Sequence, residues 1–260
     1  MVGALKARGD DSTLPPCPAS EGRTRDERRG MMRKGSCIAI ALIVSTVLGC
    51  ASSPASAHGG VPRTVRRFLD DHGWDLSAYE QSDLSDLDRY YRHDRFYVVG
   101  APLDELWNLY VSIDPRLAWR TDKTGFGLVW DPAGDALYRA GDDVVPPFAV
   151  GQVMVLELEI AGFYRLPVAF RVTEIDRAAA VIGFVYLAEN KSNGMQRIGF
   201  SSAVDSSGRR YTTIQHSTWY RSGDDFRDRR LYGGFHESII DAFHDAIAAS
   251  AGYSIEVVEP

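Results

Sequence analysis

Hydrophobic and polar positions along the chain follow two periods, and the change between them near residue 151 predicts the architecture. Before it the spacing is helical. From Thr64 onward, Val65, Phe68 and Leu69 recur at helical intervals, and Gly73 closes the segment. A second short helical piece is expected over 84–91. Residues 96–99 are apolar and partly β-branched, which predicts a strand. Pro102 then opens a helix whose first turn carries Asp104 and Glu105, where negative charge suits the dipole. Leu103, Leu106, Trp107 and Tyr110 form its buried stripe.

From Gly151 the period is two. Five runs, 152–160, 166–175, 181–188, 197–204 and 212–220, read as consecutive antiparallel strands. The first places Met154, Leu156, Leu158 and Ile160 on one face and Glu157 and Glu159 on the other. Leu166, Val168, Phe170 and Val172 align in the second, while 181–188 is apolar on both faces. A meander of this kind has one wet face and one that needs cover. The cover is a final helix over 232–251, ended by Gly252. Phe235, Ile239, Ile240, Phe243, Ala246 and Ile247 fill one stripe, with His236 inside it. Glu237, Asp241 and Asp245 are expected to face water. The expected fold is therefore α+β, a curved antiparallel sheet wrapped around one long C-terminal helix.

Composition changes this picture little: 260 residues, 45% hydrophobic and 25% charged, suit a folded chain and exclude collagen, coiled coil and disorder. Charge matters more. Residues 50–260 keep 21 Lys and Arg against 30 Asp and Glu, a balance of −9 that would repel phosphate backbones. Nucleic acid is excluded as a main partner. The three cysteines, Cys17, Cys37 and Cys50, all precede residue 51, so no disulfide is possible beyond it.

The front of the chain reads as a processing signal. Met32-Arg33-Lys34 and the apolar run 38–48 give a basic start and a core too short to span a bilayer. The run ends in Val47-Leu48-Gly49-Cys50, which resembles the lipobox of bacterial lipoproteins. That resemblance implies cleavage before Cys50, acylation of Cys50, and an exported protein of the bacterial cell envelope anchored to a membrane by lipid. Ala55-Ser56-Ala57 offers a conventional cleavage site, which would yield a soluble secreted or periplasmic protein instead. Residues 1–30 fit neither signal nor domain, so translation is expected to start at Met31 or Met32. The expected organisation is a signal over 31–49, a flexible tether over 50–63, and a single domain over 64–260.

The segment 96–119, FYVVGAPLDELWNLYVSIDPRLAW, resembles the opening of the START and polyketide-cyclase-like (SRPBCC) superfamily. There a first strand runs through Ala-Pro into a Trp-bearing helix, followed by Asp-Pro and another Trp. The matching residues here are Val98, Ala101, Pro102, Trp107, Asp114, Pro115 and Trp119. The order of elements through Ser250 also fits that superfamily's helix-grip fold, while the helical pieces over 64–91 and the long loop over 131–147 depart from it. The resemblance implies an apolar cavity between the sheet and the last helix that holds a hydrophobic small molecule or lipid.

Aromatic positions are consistent with such a cavity. Trp107, Trp119, Trp130, Phe170, Phe184 and Tyr186 fall on or near elements that would line it, as do Phe200 and Phe235. Ile239, Ile240 and Phe243 would add the helix's own wall. The alternative is that these side chains pack a solid core, as in an envelope interaction protein without a cavity. His216 shares a strand face with Ile214, Thr218 and Tyr220, and points the same way as His236. The two imidazoles would meet, binding a ligand's polar group or acting as acid and base in a cyclase-like or hydrolytic enzyme; alternatively each is a satisfied core histidine. His236 and His244 diverge by ~80° around a helix, so no metal site is expected. No nucleophile elbow, P-loop or dinucleotide fingerprint is present, and no cofactor is expected. The charged segment 221–232 either guides an anionic headgroup or is a solvated loop.

Overall fold

The computed structural model, which describes residues 60–258, contains nine strands and five helices. The segment expected to be a signal, Cys50 and the expected tether as far as residue 59 lie outside these residues. The strands are β1 Tyr91–Val99, β2 Thr124–Asp131, β3 Ala136–Arg139, β4 Val153–Ile160, β5 Tyr164–Asp176, β6 Val181–Tyr186, β7 Asn193–Val204, β8 Arg210–Arg221 and β9 Ile255–Val258. The helices are α1 Arg63–His72, α2 Leu103–Ser112, α3 Pro115–Ala118, α4 Asp225–Arg230 and α5 Tyr232–Ser250. All strands join one antiparallel sheet in the order β3-β2-β4-β5-β6-β7-β8-β1-β9, curved around α5 in a helix-grip α+β arrangement.

The five strands expected from the two-residue period are β4 to β8. Cross-strand register carries the alternation across the sheet: Met154 pairs with Phe170, Phe170 with Tyr186, and Ile198 with His216. These inward residues join Ile214, Phe243 and Ile247 in the main core. Burying a large apolar side chain there contributes about 1.5–3 kcal/mol each.

Three strands carry no clear alternation. β2 includes Gly125 and Gly127, β3 lies inside the region expected as a loop, and β9 is four residues long, completing the edge beside β1. Gly127 sits at an irregularity between Phe126 and Leu128. A Cβ there would collide with the Val155 carbonyl and press on the Val65 methyls, so only glycine fits. The extra residue shifts the strand's parity: Phe126 and Val129 point into the main core, Leu128 and Trp130 out of it.

Outward residues are only partly wet, contrary to the expectation of one fully solvated face. α1 lays Val65, Phe68 and Leu69 over Leu128, Val153, Val155 and Ala169, forming a second hydrophobic cluster on the convex side. The amphipathic stripe of α1 dictates this, since it needs an apolar surface and these outward residues supply one. The helical piece expected over 84–91 shrinks to a 3-10 turn, Leu87–Arg89, because Tyr91 already pairs with Tyr220 in the sheet.

α5 stops as its sequence dictates. Gly252 adopts φ 77°, its N–H bonds to the Ala249 carbonyl at 3.0 Å, and Tyr253 N–H bonds to that of Ala248 at 3.0 Å. This pair satisfies the last orphan carbonyls. At the other side of the core, Asp114 accepts from Arg116 N–H at 2.8 Å and starts α3 at Pro115, which positions Trp119.

Candidate functional site

Between α5 and the inward faces of β4 and β5 the chain leaves a cavity of about 250 Å³, near the low end of ~300–1,000 Å³ for small-molecule sites. Its walls are the inward residues of alternating strands: Leu156, Leu158 and Ile160 from β4, and Leu166, Val168 and Phe170 from β5. Phe235, Ile239 and Ile240 from α5 face them. The buried end holds Trp119, Tyr186, Gln196 and His236; the exposed end holds Tyr164, Lys191 and Leu231, with Arg227 beside them.

Of the residues that sequence reasoning grouped around a cavity, Trp119, Phe170, Tyr186, Phe235, His236, Ile239 and Ile240 line this one. Phe184 packs against Phe170 and Phe148, and Phe200 against Trp107 and Tyr110, all within the core. Phe243 stacks on Trp119 at 4.2 Å between ring centroids and supports the wall from behind. Trp130 is on the opposite side of the sheet, where its indole donates to Asp135 at 3.1 Å. The parity shift at Gly127 is the cause.

His216 does not reach the cavity. It lies under α5, fully buried, and its partner is His244 rather than His236: His216 Nδ1 is 2.9 Å from His244 Nε2. Two further bonds extend the pair. Tyr110 Oη lies 2.6 Å from His244 Nδ1, and His216 Nε2 lies 3.0 Å from Gln196 Oε1. Gln196 in turn donates from Nε2 to Tyr186 Oη at 2.6 Å. His244, set aside at first because it diverges from His236, faces β8 as the sheet curls around the helix. The missed signal was the pairing of a helix histidine with Tyr110 and His216 on separate elements.

With the Gln196 amide oxygen toward His216 and its nitrogen toward Tyr186, the donors along this relay follow. An amide oxygen only accepts, so His216 carries its proton on Nε2. Burial, joined by the nearby His236 and His93, lowers the His216 pKa to about 3, so the ring is neutral and Nδ1 must accept. His244 therefore donates from Nε2, and Tyr110 donates its hydroxyl proton to His244 Nδ1. His244 is held neutral in the same way, its pKa pushed well below the ordinary value by burial and then by His216. At the far end Tyr186 accepts from Gln196, which leaves its own hydroxyl proton without an acceptor among the described residues.

His236 has a different environment. Its ring meets Tyr220 and Tyr232 edge-on at 4.9 and 5.3 Å, and Nδ1 has no hydrogen-bond partner. Burial, then His93, lowers its pKa to about 3. Asp241, expected to face water, instead accepts from Tyr97 Oη at 2.7 Å and from Arg95 at 3.1 and 3.0 Å. This ties α5 to β1. In the segment expected either to guide a headgroup or to be a solvated loop, Asp228 is buried and accepts from Ser222 N–H, while Arg227 donates to Ser222. Among the described residues no group of three or more His, Cys, Asp or Glu is arranged to hold a metal ion.

No protein-family model matches this sequence, and no curated protein does. Solved structures offer similarities of outline. Norcoclaurine synthase from Thalictrum flavum, in complex with dopamine and hydroxybenzaldehyde, has a TM-score of 0.44 at 12% identity over 65% of this chain and 91% of that one. Ginseng major latex-like protein 151 from Panax ginseng has a TM-score of 0.43 at 12% identity, covering 62% and 97%. A structural-genomics protein from Nitrosospira multiformis has a TM-score of 0.38 at 11% identity, covering 62% and 95%.

Proposed function

We propose that this chain is a START-like binding protein that holds a hydrophobic small molecule or lipid in the cavity between α5 and the sheet, without turning it over. The observation that carries this reading is the cavity itself: aliphatic and aromatic walls, one buried polar end and one exposed end with Lys191 and Arg227. Apolar walls with a few fixed polar groups are the usual composition of a ligand site. The motif residues Ala101, Pro102, Trp107, Asp114 and Trp119 agree with it.

Carriage is favoured over the enzyme reading by the state of the two histidines nominated for acid–base work. His216 has both ring nitrogens committed to His244 and Gln196, and both imidazoles are held neutral far from the pH at which they would exchange protons. The reading places the protein in the cell envelope, anchored through acylated Cys50, where diacyl anchoring would hold it at a membrane surface.

Native mass spectrometry of the purified full chain, with organic extraction of anything bound, tests this. A defined hydrophobic compound in stoichiometric amount is expected. A clean unliganded mass, together with no uptake of added hydrophobic probes, would contradict it. Mass analysis of the mature N-terminus tests the anchor: acylated Cys50 supports it, and an N-terminus after Ala57 excludes it.

A further inference from the structure

Three polar groups at the buried end of the cavity are unspent. Trp119 is 3% exposed, and its Nε1–H meets no acceptor. Tyr186 is 4% exposed and receives a hydrogen bond from Gln196, so its own O–H is left with no acceptor among the described residues. His236, 7% exposed, keeps Nδ1 without a partner. Buried polar groups are rarely left unpaired, because burial removes the water that would otherwise serve them.

The roles of two of these groups are not free. An indole N–H donates only. Tyr186 is made a donor by the direction of the relay behind it, which begins at Tyr110 and reaches it through Gln196. Two of the three groups therefore offer hydrogens, and the third, His236 Nδ1, receives one only in one tautomer.

We propose that the cavity takes an uncharged, largely apolar carbonyl compound, such as a ketone, ester or lactone, whose oxygen atoms accept from Tyr186 Oη and Trp119 Nε1. This rests on the binding function proposed above and names its ligand class. A carbonyl oxygen brings two lone pairs and no proton to place. A hydroxyl would bring a proton for which only His236 Nδ1 is at hand, and only in one tautomer. A carboxylate would be drawn to Lys191 and Arg227 at the exposed end, because burying an anion among neutral groups is costly; it would leave both donors unserved.

Four naphthyl probes separate these cases by calorimetry on the full chain near neutral pH: naphthalene, 2-acetylnaphthalene, 2-naphthol and 2-naphthoate. The ketone is expected to bind about fivefold or more tighter than naphthalene, the gain from one neutral hydrogen bond, and tighter than the other two. Tyr186→Phe should weaken the ketone about fivefold relative to naphthalene, with the Trp119 bond retained. A second measurement needs no variant: the carbonyl stretch of the bound ketone should lie below its frequency in hexane. Equal binding of ketone and naphthalene, with a hexane-like stretch, overturns the proposal and leaves the cavity a binding site whose donors are served by water. Tightest binding by the naphthol or the naphthoate also overturns it. Failure of all four to bind removes the site, and this inference with it.

Discussion

His216 and His244 hydrogen-bond to each other directly in the protein interior, Nδ1 to Nε2 at 2.9 Å, and each supplies what the other lacks. Replacing His244 with Leu would strip Tyr110 of its acceptor and His216 of its donor, leaving two buried groups unpaired. We expect His244→Leu to cost about 2–4 kcal/mol in chemical denaturation. The double variant with His216→Leu should cost clearly less than the sum of the single changes, since both strand the same network. Additive losses would show that the two rings are not coupled.

The same burial makes stability depend on pH. His216 and His236 have folded pKa values of about 3, below the ordinary histidine value of 6.5, so between those limits the unfolded chain binds more protons than the folded one. Stability is therefore fully present above pH ~6.5 and declines as pH falls toward 3. Each of these histidines should cost roughly 2 kcal/mol between pH 7 and pH 5. His244, shifted in the same direction, adds to this loss. Urea midpoints that stay flat from pH 7 to pH 5 would contradict the neutral, buried state of these rings.

Gly127 and Gly125 occupy the same strand but differ in what a side chain would meet. At Gly125 an added Cβ lies 3.7 Å from Glu157 Cβ, an ordinary contact, whereas at Gly127 it strikes the Val155 carbonyl and Val65 of α1. Gly127→Ala is expected to lower stability by about 2 kcal/mol or more and to loosen α1, read as faster amide exchange over 63–72. Gly125→Ala should stay within about 1 kcal/mol of the parent. Equal effects would remove the bulge-and-helix account of Gly127.

Much of this was legible in the chain because two periods carry it. Alternation in β4 and β5 placed Met154, Leu156, Leu158, Leu166, Val168 and Phe170 on one face, and the stripe of α5 placed Phe235, His236, Ile239 and Ile240 opposite them. Three things lay beyond pattern. The parity shift at Gly127 sent Trp130 to the convex side, and nothing in the alternation of a glycine-bearing strand marks a bulge. The curl of the sheet brought Arg95 and Tyr97 to Asp241, and Tyr110 and His216 to His244, so α5 is gripped on flanks that a single stripe assigns to water. That Leu158, Leu166 and Val168 stop short of the helix is a property of spacing between elements, which no residue carries alone.

The open space between α5 and β5 is the central claim, and one titration tests it most directly. Val168→Trp would place an indole in the cavity from its wall, at little strain because the added ring enters space that no other side chain occupies. Calorimetric titration with 2-acetylnaphthalene should give one site per chain for the parent and no binding for the variant, with thermal stability retained. Equal binding by both, or a large loss of stability in the variant, would mean that the helix and sheet meet without room for a ligand.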